Sequence, residues 1–119
     1  MSLLAVNPAE ARLSASEGGV SQHALINQGE MRLAVKIKCS DNNAYRVNPT
    51  FGVVEAGSQL PIEVRRLPGQ PPKQDLLVLQ FVKLPAGGDH PPPQEVFAQI
   101  TGANPANIVP EVRLPLIAQ

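Results

Sequence analysis

No tryptophan occurs in the sequence and only 3% of its 119 residues are aromatic, so any core must be filled by valine, leucine, isoleucine and alanine. Cysteine occurs once, at Cys39, which excludes an intramolecular disulfide. Small secreted β domains are more often stapled by several disulfides, so a reducing, cytoplasmic setting is expected. Neither sign of charge prevails. Ten basic residues balance ten acidic ones, and no overall field draws the chain onto nucleic acid or an acidic membrane. Long apolar runs are also missing: no stretch reaches membrane-spanning length, and the opening run from Met1 to Pro8 has no basic leader. The expectation is a soluble chain without membrane insertion.

The groups that do chemistry are as scarce. His23 falls in a candidate strand and His90 in a proline-rich loop, and neither has a second histidine, cysteine or carboxylate at metal-ligand spacing. His23 is expected at the surface or partly buried. Cys39 lies on the apolar phase of its strand, where a lone cysteine is a small core residue rather than a nucleophile. Gly18-Gly19 and Gly87-Gly88 lack the strand, turn and helix setting of a phosphate cradle and read as turns. No catalytic, metal-binding or cofactor-binding residue is assigned, and an enzyme is not expected.

Proline and glycine are abundant, at 13 and 9 residues spread along the chain, which breaks helices and punctuates short strands. The clearest strand runs from Met31 to Cys39, where Met31, Leu33, Val35, Ile37 and Cys39 alternate with mostly polar neighbours. Val20 to Asn27 precedes it across a short turn and is expected to form a hairpin with it. Leu3 to Val6 and Ala11 to Ala15 read as one irregular N-terminal strand, broken at Asn7-Pro8. Tyr45 to Asn48, Val53-Val54, and Leu60, Ile62 and Val64 supply further strands; Pro61 places the last of these at a sheet edge or a bulge.

Leu76 to Val82 is apolar on both faces and should sit centrally, while Ile108 to Ala118 closes the chain. Between them, about residues 83–107, prolines predict a long loop with a brief strand at Glu95 to Ile100. The fold class is therefore all-β: a single domain over 1–119, an immunoglobulin-like, seven-stranded antiparallel β-sandwich. Pro61, Pro110 and Pro115 each remove a backbone donor in or beside a strand, which argues for a monomer or small closed oligomer.

Charge is unevenly distributed. From Arg32 to Lys73 there are seven basic residues against three acidic ones. Lys36 and Lys38 share the polar phase of one strand and Arg46 comes on the next, so a basic stripe forms if those strands pair. With few aromatic platforms beside it, such a stripe suits an acidic protein partner rather than nucleic acid.

The run from Lys36 to Gly57 carries a resemblance. Lys36-Ile37-Lys38-Cys39-Ser40 leads through a polar turn to Tyr45-Arg46-Val47-Asn48-Pro49, then to Gly52-Val53-Val54 and Gly57, an order and spacing that resembles the major sperm protein (MSP) domain family. The resemblance extends over nearly the whole chain from about residue 15 and implies an MSP/PapD-like sandwich. One branch of that family comprises small free-standing proteins of nematode amoeboid sperm, some forming motility filaments and others associating with them. A second branch, the VAMP-associated proteins, grips acidic phenylalanine-containing peptides; Lys38-Cys39-Ser40 stands where that branch has Lys-Thr-Thr, which adds Ser40 to the candidate protein-binding face of Lys36, Lys38 and Arg46.

The tract around Tyr45 and that from Arg66 to Asp75 are more similar to the small sperm-specific members and fiber accessory proteins. The resemblance thus implies a non-enzymatic protein of the sperm cytoskeleton and pseudopod, which associates with MSP or other fiber components and modulates filament assembly. The alternative it implies is an adaptor for acidic peptide motifs.

Overall fold

Strands with one apolar face bury it most completely by stacking as two sheets, and that is the arrangement in the computed structural model, which describes residues 3–84, 91–103 and 109–119. In chain order the elements are β1 (Leu4–Asn7), β2 (Ala11–Leu13), β3 (Gly19–Asn27), β4 (Leu33–Cys39), β5 (Tyr45–Asn48), β6 (Phe51–Val54), β7 (Gln59–Arg66), β8 (Lys73–Lys83), α1 (Pro93–Ala103) and β9 (Glu111–Ala118). A four-stranded sheet has the order β1-β3-β7-β5, and a five-stranded sheet the order β2-β9-β8-β4-β6. Two runs of chain change sheets part-way, β1 to β2 past Pro8 and β5 to β6 past Pro49, so the nine strands among the described residues are seven runs of an immunoglobulin-like sandwich. Pairing is antiparallel except between β2 and β9, which run parallel.

The period-two alternation sets the core. Leu33, Val35 and Ile37 of β4, Leu77, Leu79 and Phe81 of β8, and Leu114 and Leu116 of β9 face Leu25, Ile62, Val64 and Tyr45 of the opposite sheet. Val47 and Leu60, also expected inside, are half-buried against the same cluster. The doubly apolar strand, β8, is the middle one of five.

The prolines of two interior strands sit where a neighbour has stopped. Asn27 N–H donates to Ser58 O, so the even-numbered residues of β7 bond β3 and Pro61 turns its nitrogen toward β5, which ends at the Asn48–Glu63 pair. On β9, Phe81 N–H donates to Pro110 O, so Pro115 turns away from β8 toward β2, whose pairing begins only at Leu116. Pro61 is therefore neither on an edge strand nor at a bulge; it occupies a locally open stretch of an inner strand.

The hairpin expected between β3 and β4 does not form. The two strands belong to different sheets, because their apolar faces, with Leu25 on one and Leu33 on the other, bury each other across the sandwich. Buried Asn27 makes the crossing: its Nδ2 donates to Met31 O (2.8 Å) and Val54 O (3.0 Å), and its Oδ1 accepts from Gly29 N (2.9 Å). Met31 lies in that turn, exposed, and β4 starts at Leu33.

Residues 93–103 form a helix, not the brief strand expected at Glu95 to Ile100. Pro93 is tolerated in the first turn, where its missing donor has no helical partner, and Glu95 complements the positive end of the helix dipole. Phe97 buries itself with Ala34 and Leu84 on the outside of the five-stranded sheet, with Phe51, Val53, Val82 and Val109 around them. That is why Ala34, on the otherwise wet phase of β4, is fully buried. His90 and the Gly87-Gly88 turn lie outside the described residues.

Ile37→Ala removes a side chain that is 5% exposed at the centre of β4. The expected loss of stability is about 2–5 kcal/mol in chemical denaturation, because its buried aliphatic contacts with the core are lost.

Candidate protein-binding face

Lys36 and Lys38 project from the outer side of β4. In register, Lys36 stands between Phe51 of β6 and Gln80 of β8, and Lys38 beside Val78 of β8. The helix covers one end of this face: Phe51 and Phe97 have ring centroids 6.2 Å apart, and Lys36 Nζ sits 5.7 Å from the Phe51 centroid. The Lys36 ammonium thus lies over an aromatic face while its stem covers apolar surface. Away from the helix, the face is open. Leu76 and Val78 lie half-buried along β8, with exposed Lys38 on one side and exposed Arg113, opposite Val78, on the other. Arg113 pairs with Glu111 at 3.1 Å.

The structure brings together only part of the expected stripe. Lys36 and Lys38 share the open face and Ser40 lies at its end, but the Ser40 hydroxyl is committed: it donates to Asp75 Oδ1 (2.7 Å) and accepts from Leu76 N (2.9 Å). Arg46 lies elsewhere. β5 pairs β7 in the other sheet, because the chain crosses between sheets at Asp41 to Ala44, and Arg46 stands opposite Arg65. Leu76, Val78, Arg113 and Arg65 were missed as site residues. The alternation of Arg113 with Val112 and Leu114 was the available signal; the pairing of Arg46 with Arg65 left none in sequence.

The crossing is held by electrostatics. Asp41 Oδ1 accepts from the backbone N–H groups of Asn43 (2.9 Å) and Ala44 (3.2 Å), while Lys73 Nζ sits 2.8 Å from Asp41 Oδ2 and 3.6 Å from Asp75 Oδ1. The Lys73 contact and then the Asn43 N–H hold the Asp41 carboxyl below its usual range, and Asp41 in turn raises Lys73. Cys39 is half-buried on the core side. Burial raises its pKa, the bond from its thiol to Asp41 O opposes this, and the Asp75 and Asp41 charges raise it further, so it is a protonated, unreactive thiol at neutral pH.

His23 is more buried than expected, and both ring nitrogens are engaged: Nδ1 donates to Pro8 O (2.8 Å) and Nε2 meets Ser21 Oγ (2.7 Å). Among the described residues no group of three or more histidine, cysteine or acidic residues is placed to hold a metal ion.

The family model of the MSP (major sperm protein) domain matches residues 3–104. The chain belongs to the major sperm protein domain family. Sperm-specific class P protein 31 of Caenorhabditis elegans is 42% identical over 94 residues, covering 79% of this chain and 83% of that protein. Class P protein 19 of the same organism is 37% identical over 109 residues, 91% and 94% of the two chains. Among solved structures, WR4, a C. elegans MSP family member, superposes with a TM-score of 0.83 at 33% identity over 100% of both chains. The PapD-like domain 7 of human CEP192 shares the fold alone, with a TM-score of 0.63 and 12% identity, over 98% of this chain and 85% of that one. The MSP domain is a structural and interaction fold rather than an enzyme family.

The Asp41 turn in this MSP domain responds to pH in a defined direction. Because the folded pKa of Asp41 is depressed, its contribution is complete above the usual aspartate value and is lost as pH falls through the lower folded value. Lys73, raised, loses its share only as pH climbs through a value above that of an ordinary lysine. Hydrogen exchange of the Asn43 and Ala44 amides should therefore accelerate at acid pH beyond the intrinsic exchange trend. In Asp41→Asn, which keeps the Oδ1 acceptor, that extra acid dependence should disappear.

Proposed function

We propose that the protein is a non-catalytic component of the nematode sperm cytoskeleton that associates with MSP filaments and modulates their assembly, using the Lys36–Lys38 face. The observation that carries this reading is the half-exposed Leu76–Val78 strip between Lys38 and Arg113 on a chain of zero net charge. An apolar centre with a basic rim suits a protein surface that is acidic at its margins. The sperm-specific class P relatives support the cellular setting. Among the described residues no helix is long and apolar enough to cross a membrane, which agrees with a cytoplasmic, pseudopodial filament partner.

The adaptor reading keeps Lys38 and the apolar strip as a peptide surface. It is the weaker one, since Asp75 already holds the Ser40 hydroxyl and the β8 positions beside it are Leu76 and Val78, which offer no charge to an acidic peptide.

In this reading the pure protein stays monomeric or forms a small closed oligomer, and reaches filaments only through a partner. Co-sedimentation with assembled MSP fibers tests it. The wild type should pellet with fibers in a salt-sensitive manner, and the Lys36→Glu/Lys38→Glu double variant should associate about tenfold more slowly, with a lowered but still cooperative melting curve because Lys36 also packs on Phe51. Fiber growth by the pure protein in light scattering, or equal pelleting of the double variant, would remove this reading.

A further inference from the structure

Among the described residues the four-stranded sheet ends at β5, and the register shows which backbone groups are left open there. Leu67 N–H donates to Ala44 O, so Ala44, Arg46 and Asn48 turn their backbone groups toward β7, while Tyr45 and Val47 turn theirs to the free side. An open edge of this kind is a template for another strand.

One side chain lies across it. The Arg46 guanidinium donates through Nη1 to its neighbour's carbonyl, Tyr45 O (2.9 Å), and to Asn42 O. Its placement has a cause on the opposite strand. Arg65 is the direct cross-strand partner of Arg46 and both are exposed, so like charges drive Arg46 away from β7 and over the edge, where two carbonyl oxygens receive it. Beside the edge a cleft of about 260 Å³ opens between the sheets, lined by Ile37, Cys39, Tyr45, Val47 and Thr50 and, at its polar end, by Asn42 and Arg46.

We propose that the free edge of β5 is a docking site for an extended segment of a partner protein in which an acidic residue lies between two apolar ones, and that Arg46 gates it. A strand added along β5 alternates its side chains as β5 does. Residues flanking Tyr45 and Val47 point into the cleft, which is mainly apolar on the Ile37, Cys39 and Val47 side. The residue flanking Arg46 points outward beside Arg46 and Arg65. A carboxylate there accepts from Arg46 in place of the two carbonyls, which frees the backbone edge to pair, and it neutralises the crowded charges. Occupancy by β5 of a second copy is disfavoured by the same charges, because it brings Arg46 against Arg46 with an Arg65 on either side. The site is separate from the Lys36–Lys38 face, which lies on the other sheet, so its failure leaves that reading standing.

The test is an NMR titration with a capped heptapeptide alternating valine and threonine around one central glutamate, and a second peptide with lysine at its centre. The glutamate peptide should shift the Tyr45 and Val47 amides and slow Val47 exchange; the lysine peptide should bind about tenfold more weakly. Arg65→Ala should weaken the glutamate peptide alone. Arg46→Ala, a change at an exposed side chain, should reduce discrimination between the two peptides to what Arg65 alone supplies while leaving both able to bind. Unmoved Tyr45 and Val47 amides in wild type and Arg46→Ala would overturn the proposal. So would peptide shifts confined to Lys38 and Val78, or Val47 protection that rises with protein concentration alone, the sign of a second copy on the edge.

Discussion

The end of the sandwich that carries both candidate surfaces is organised around one buried cation, Arg66. It terminates β7 at 1% exposure, packs its guanidinium carbon 5.0 Å from the centre of the Tyr45 ring, and donates through Nη2 to Gln70 O (3.2 Å) and Pro71 O (2.9 Å). Burying a charge is costly unless it is compensated, and the compensation here is partial: a π face, and two loop carbonyls that both meet Nη2, with Nε and Nη1 buried without a hydrogen-bond partner among the described residues. Burial raises the Tyr45 pKa, with Arg66 opposing it, so the ring stays a neutral phenol beside the cation. The surrounding backbone conforms to Arg66: a Cβ on Gly18 would approach Arg66 O to 2.5 Å, and its φ of +76° is one that glycine adopts without strain.

Several features of the surface depend on that anchor. Holding Gln70 and Pro71 lets β8 begin at Lys73, which places Asp75 against Ser40 and Lys73 against Asp41. Asp41 then caps the turn that carries the chain from one sheet to the other, and Tyr45, packed on Arg66, starts β5 at the far side of that turn. The turn also presents Asn42 O to Arg46. A neutral protein thereby acquires two separate basic features, Lys36 and Lys38 on one sheet and Arg46 with Arg65 on the other.

At the other end of β4 the helix supplies the asymmetry. By burying Phe97 on Ala34 with Leu84, it closes one end of the outer face and leaves Leu76 and Val78 open at the other. Without that cover, the β6 edge and the apolar residues Phe51, Val53 and Val82 would form one continuous exposed patch, the kind of surface that pairs or aggregates indiscriminately.

The sequence by itself determined the fold class, the inward positions of β4, β8 and β9, the central place of β8 and the outward position of Lys36 and Lys38. These rest on a two-residue period, a local property of each strand that survives whatever strand lies beside it. It also placed the chain in the MSP domain family through the order of residues from Lys36 to Gly57. The helix was not legible, since the prolines before it read as breakers, because proline is compatible both with the first turn of a helix and with its absence. Only the tertiary structure decided which strands are neighbours. It separated β3 from β4, carried Arg46 away from the lysines to face Arg65, and occupied the Ser40 hydroxyl with Asp75. That choice is made by contacts between residues far apart in sequence, such as Asn27 with Val54 and Arg66 with Tyr45, and no local period carries them.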